Sequence, residues 1–210
     1  PTRRSSDLTV RLFTWGGRYS GVDRTVAFHE LSHVLSTRLH VGTVFEGAGG
    51  LAGGLFEGWS DYLALALTHQ STDSADESYP VFSWTGRTNS GPHLNHYYFG
   101  GTHWYPYTSN MAPRPESGIA SNPLTYGHAD QGPAGGSPPL PLPHNDDHWI
   151  KPAVRADSPR LAHRTGEIWA SMLVQCRAAV AMDPAIGADG ANELMLQLVV
   201  DGMKLDPGAP

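Results

Sequence analysis

Two histidines four residues apart, with a glutamate directly after the first, carry the strongest chemical signal in this sequence: His29-Glu30-Leu31-Ser32-His33. On a helix, positions i and i+4 sit one turn apart on one face, and two imidazoles so placed can bind one metal ion. Glu30 then projects beside the ion rather than at it, which suits a general base acting on metal-activated water. A catalytic centre needs a third ligand and an open fourth position. Glu57 is the best candidate, 24 residues beyond His33 and across a Gly-rich connection able to turn the chain back. Glu46 competes for that place, but it stands in Gly-rich sequence with no helix to hold it. Asp61 lies one turn beyond Glu57 on the same helix face. A carboxylate there can accept a hydrogen bond from the free ring nitrogen of a ligand histidine and fix its tautomer.

These residues need helices to position them. Apolar residues at Ala27, Phe28, Leu31, Val34, Leu35 and Leu39 predict a helix over 22–40, with Asp23 as its N-cap. A second is expected over 55–69, after the glycines at 47–54. Ser158-Pro159 opens a third over 159–182, whose buried face is read as Ile168, Trp169, Met172, Leu173, Cys176, Ala179 and Val180. A fourth, over 191–201, is expected to close at Gly202. Residues 70–160 are mostly turn chemistry, and strand signals are weak. The fold class is therefore mainly α with long irregular loops.

Composition narrows the partners. The chain has 210 residues, 40% of them hydrophobic, with 24 glycines and 17 prolines. That supports a core but a loop-heavy one. A net charge of −6 speaks against a nucleic-acid partner. No stretch reaches the roughly 18 apolar residues of a membrane span. The single cysteine, Cys176, gives neither a disulfide framework nor a thiolate metal cluster.

Taken together, His29-Glu30-Leu31-Ser32-His33, Leu35-Ser36-Thr37-Arg38-Leu39 and Glu57-Gly58-Trp59-Ser60-Asp61 resemble the fungalysin family of secreted zinc metalloendopeptidases, relatives of thermolysin. The resemblance continues through Tyr105-Pro106-Tyr107-Thr108-Ser109-Asn110-Met111 and Asn122-Pro123-Leu124-Thr125-Tyr126. It extends to His163-Arg164-Thr165-Gly166-Glu167-Ile168-Trp169-Ala170 and Leu196-Gln197-Leu198-Val199-Val200-Asp201-Gly202-Met203-Lys204-Leu205. It implies a zincin-like helical C-terminal lobe and one zinc ion per chain held by His29, His33 and Glu57. It also implies Glu30 as the catalytic carboxylate, Asp61 as the partner of a ligand histidine, and His163 as a donor to the oxyanion. Tyr107 and Tyr126 are further candidate donors to substrate or oxyanion. The substrate implied is a protein or peptide, and the location extracellular. The family's precursor carries a signal peptide, an inhibitory propeptide and a β-rich N-terminal lobe, none of which is recognised here.

The sequence departs from the family at several points. Val34 replaces the usual glycine after the second histidine, which could crowd the ligand helix. His103-Trp104 stands where an arginine is usual, and Pro207-Gly208 where a cysteine is. Residues 1–8 read as a foreign tail, because Arg4-Ser5-Ser6-Asp7-Leu8 matches the translation of a common sequencing adapter. Residues 9–210 read as a partial catalytic domain, with 127–160 as a Pro/Gly-rich insertion. Within that insertion His144-Asn145-Asp146-Asp147-His148 could take a calcium ion, though a solvated acidic loop explains it as well. The expectation is a zinc endopeptidase fragment that is weakly active or inactive alone. The alternative is a non-catalytic zincin-like domain that binds a protein partner.

Overall fold

A computed structural model describes residues 10–15, 17–39, 50–74, 78–86, 103, 105–110, 122, 124 and 159–205. A short antiparallel hairpin comes first, β1 (Thr14–Trp15) against β2 (Arg18–Tyr19), with Gly17 at φ 78° in its turn. A 3-10 turn, Ser20–Val22, leads into α1 (Arg24–Leu39). Helix α2 spans Gly50–Thr68, α3 is the single turn Ser83–Gly86, α4 spans Pro159–Ala181 and α5 spans Gly187–Leu205. The mainly helical architecture is the one expected from the sequence.

Asp23 starts α1 as an N-cap should. Its Oδ1 accepts the Thr25 backbone N–H at 3.1 Å and the Thr25 hydroxyl at 2.7 Å. Its Oδ2 accepts the backbone N–H of Thr85 at 3.1 Å and the Thr85 hydroxyl at 3.2 Å. One buried carboxylate thus ties the start of α1 to the turn at α3.

The inward face of α1 is not the apolar stripe. Val26, His29, Ser32 and Ser36 are buried, while Leu31 and Leu35 are 50% and 37% exposed. Val34 is only partly buried. The physical reason is local satisfaction of polar groups. Ser32 and Ser36 donate back to the carbonyls of Phe28 and Ser32 at 2.7 and 2.9 Å. Small, self-satisfied side chains can go inward, and His29 has a partner waiting on α2.

Helix α2 begins five residues earlier than its apolar pattern suggested, because Gly53 and Gly54 lie inside it. Glycine is required there by the neighbouring helix. A Cβ on Gly54 would lie 2.5 Å from the Thr165 side chain, and one on Gly58 would lie 2.5 Å from the Gly166 carbonyl. In return, a Cβ on Gly166 would lie 2.7 Å from the Gly58 nitrogen. Helices α2 and α4 therefore cross backbone to backbone. Phe56, Trp59, Tyr62, Leu63 and Leu65 are all buried, which makes α2 the central helix.

Two further expectations are corrected in α4 and α5. Cys176 is exposed rather than in the core, and Met172 is 40% exposed. The inward face of α4 is turned toward Thr165, Glu167 and Ser171, which are buried polar residues that a hydrophobic stripe cannot reveal. Glu167 Oε1 accepts the Tyr105 backbone N–H at 2.7 Å. Asn122 donates to the Pro106 carbonyl at 3.0 Å and to the Ser171 hydroxyl at 2.8 Å. These bonds pin Tyr105, Pro106 and Asn122 onto α4. Gly202 does not close α5, which runs on to Leu205 with Met203 fully buried. Residues 1–8, all of the 127–160 insertion except 159 and 160, Glu46 and Tyr126 lie outside the described residues.

The glycine crossing gives a paired prediction. Gly166→Ala forces backbone atoms apart and should cost about 3 kcal/mol of stability. Gly202→Ala, whose Cβ meets nothing, should add about 0.5–1 kcal/mol through helix propensity. Urea unfolding of both variants beside the parent chain checks the two opposite signs.

Candidate metal centre

Helix α1 presents His29 and His33 to α2, and α2 answers with Glu57, Ser60 and Asp61 from one face. The two Nε2 atoms lie 2.9 Å apart. Glu57 Oε2 is 3.2 Å from His29 Nε2 and 3.4 Å from His33 Nε2. Three donor atoms from three side chains thus converge on one point.

The opposite edges of both rings are tied down. His29 Nδ1 lies 2.8 Å from Asp61 Oδ1. His33 Nδ1 lies 3.0 Å from Ser60 Oγ. The Ser60 hydroxyl donates its proton to the Phe56 carbonyl at 3.1 Å, so Ser60 Oγ accepts from the His33 Nδ1–H. In both neutral rings the proton then sits on Nδ1 and the Nε2 lone pair faces the site. Ser60 was not singled out from the sequence. Its spacing offered the signal, since positions 57, 60 and 61 share one helix face.

Asp61 is 1% exposed and engaged on both oxygens. Beyond His29, its Oδ2 receives His103 Nε2 at 2.6 Å and the Tyr107 hydroxyl at 2.6 Å. Burial alone would push this carboxyl up. The charge and hydrogen bonds of His103 and His29 hold it well below the ordinary range. Tyr107 is fully buried with its hydroxyl on Asp61, so the structure does not place it as a donor to substrate. His103 is buried against the same carboxylate.

Charge in the centre is tightly coupled. Burial works against a charged His29, but Asp61 and then Glu57 outweigh it and push its pKa up to about 10. Burial likewise opposes ionised Glu57, and the imidazoles of His29, His33 and His163 overcome it and hold the carboxyl well below its usual value. Glu57 Oε2 is buried and makes no hydrogen bond, although it faces the two imidazoles. A buried carboxylate oxygen without a donor, beside two imidazole nitrogens, is the pattern a divalent cation satisfies. Two nitrogens and one oxygen suit a borderline cation of the zinc type.

The remaining expected residues lie around this triangle. Glu30 follows His29 on α1 and is partly exposed. His163 on α4 is half-exposed, with Nε2 3.3 Å from Glu57 Oε2. The glycine crossing beside Glu57 is what allows α4 to come this near. His33 stacks on Phe56 at 4.4 Å between ring centroids.

Comparison with known proteins agrees with this geometry. A model of the fungalysin metallopeptidases (M36) matches residues 7–210. Extracellular metalloproteinase MEP of Pyricularia oryzae is 26% identical over 219 residues, covering 96% of this chain and 27% of the relative. The MEP of Leptosphaeria maculans is 28% identical over 221 residues, with the same coverage. Extracellular metalloproteinase 2 of Arthroderma otae is 26% identical over 218 residues. The chain thus spans about a quarter of the length of the curated relatives it matches. Matched along nearly its whole length, and with His29, His33 and Glu57 converging as metal ligands would, the chain belongs to the fungalysin metallopeptidase family.

Proposed function

We propose that this chain carries the zinc centre of an extracellular endopeptidase, with His29, His33 and Glu57 as the ligands. The observation that carries the reading is the convergence of three donor atoms on one point, one of them a buried carboxylate oxygen without a hydrogen bond. Family membership supports peptide-bond hydrolysis, and the relatives named extracellular metalloproteinases support secretion.

A zinc ion held by His29, His33 and Glu57 would supply Lewis acidity and would lower the pKa of an attacking water toward about 7. Glu30 takes the proton as water attacks the peptide carbonyl, then returns it to the leaving amine. His163, half-exposed beside Glu57, donates a hydrogen bond to the oxyanion of the tetrahedral intermediate. Asp61 keeps the His29 proton on Nδ1 throughout. Substrate is a protein or peptide. We infer weak activity or none for the 210-residue chain alone, which spans about a quarter of the length of the relatives it matches. Digestion of casein at the rate of a full-length relative would contradict that point. An intact ligand set with Glu30 beside it favours catalysis over a purely binding role.

Zinc stoichiometry is the first test. The chain should hold one zinc ion, and Glu57→Gln should lose it or bind it at least 100-fold more weakly. Absence of zinc from the parent chain would contradict the proposal. The pH dependence is the second test. Zinc must displace the proton held by His29, so affinity should rise by about tenfold per pH unit as pH climbs from about 6.5 toward 10. In the metal-free chain the sign is opposite. The raised His29 pKa stabilises the fold fully below about 6.5, and that contribution fades as pH rises through about 10. Competition titrations against a chelator and urea unfolding of the metal-free chain measure the two trends.

A further inference from the structure

Phe82 is the one non-glycine residue with positive φ among the described residues, at 60°. A bulky side chain rarely adopts this left-handed conformation, and where it does the surroundings must hold it there. The hold is visible. The Phe82 backbone N–H donates to Thr25 Oγ1 at 2.9 Å. That hydroxyl donates to Asp23 Oδ1 at 2.7 Å, and Asp23 Oδ2 receives both donors of Thr85. Val81 and Thr85, on either side, are 1% and 2% exposed. The clasp therefore joins the N-terminus of the ligand helix to the strained turn.

The turn aims the Phe82 ring at the metal centre. Its centroid is 4.9 Å from that of His29, with the planes at 79°. It is 5.8 Å from His103, with the planes at 64°. His29 is thus bounded by His33 on one side, at 4.6 Å and 87°, and by Phe82 on another. Its Nδ1 is fixed by Asp61 and its Nε2 faces His33 and Glu57, which leaves the ring able to tilt about the line joining its two nitrogens. An aromatic edge or face packed against the ring removes the tilt and keeps water away from it.

We infer that Phe82 is a positioning residue for the metal centre: its left-handed turn, clasped by Asp23 and Thr25, presses the aromatic ring against His29 and slows loss of the metal. The inference rests on the zinc-centre reading above and deepens it. It makes no demand on catalysis, only on how firmly His29 is oriented.

The test uses the 210-residue chain loaded with zinc or with cobalt(II), following transfer of metal to an excess of chelator. Phe82→Ala and Phe82→Gly both remove the ring, but glycine also relieves the left-handed strain. Both should still take one metal ion and release it about tenfold faster or more, with an altered cobalt visible spectrum. Phe82→Gly should nonetheless resist urea better than Phe82→Ala. Phe82→Tyr, which keeps the ring, should return the release rate toward that of the parent. Release at the parental rate in both ring-less variants would overturn the inference. So would a release rate that merely follows stability, with Phe82→Gly restored and Phe82→Ala not. Should the ring-less variants fail to fold, Phe82→Leu preserves bulk against Val81, and parental release from it overturns the inference equally. A parent chain that binds no metal would instead defeat the zinc-centre reading itself, so the two failures are distinct.

Discussion

The arrangement depends on a buried carboxylate. Asp61 sits in the interior with an imidazole on one oxygen and an imidazole and a phenol on the other. An isolated charge at that depth would cost several kcal/mol, and only close donors on both oxygens make it tolerable. The three donors come from two parts of the chain far apart in sequence. His29 comes from the ligand helix, and His103 and Tyr107 lie far beyond it in sequence. Satisfying Asp61 therefore docks the ligand helix against α2 and holds His103 and Tyr107 against the same carboxylate. It also sets the His29 tautomer, which decides whether Nε2 offers a lone pair or a proton.

The other constraint is steric. Gly54, Gly58 and Gly166 let two long helices meet with backbone in contact, which places His163 beside Glu57. The carboxylate supplies orientation and the crossing supplies proximity. Neither feature adds to a hydrophobic stripe, and both oppose intrinsic preference, since glycine weakens helices and buried charge resists burial. A chain accepts such local costs where a site needs them.

This explains what could be read from the sequence. Periodicity located the helices, because length and apolar spacing survive local exceptions. The ligand set was legible because i, i+4 spacing on a helix fixes geometry almost alone. The inward faces of α1 and α4 were not legible. Each turns polar residues inward, Ser32 and Ser36 on one and Glu167 and Ser171 on the other, and their partners are either backbone carbonyls or residues distant in sequence. Cys176 was misplaced for the same reason. The start of α2 was missed because glycines that serve a close crossing look like linker. The partners of Asp61 from the 103–110 connection, and the aim of the Phe82 ring, depend on contacts between segments far apart in the chain, which no spacing rule supplies.

The measurement that bears most directly on this account is the zinc affinity of Asp61→Asn beside the parent chain, with helicity followed by circular dichroism. Asparagine keeps the shape but removes the charge that holds the His29 proton on Nδ1. The account predicts retained helicity with zinc bound about 10–100-fold more weakly. A folded Asp61→Asn chain that binds zinc as tightly as the parent would contradict it.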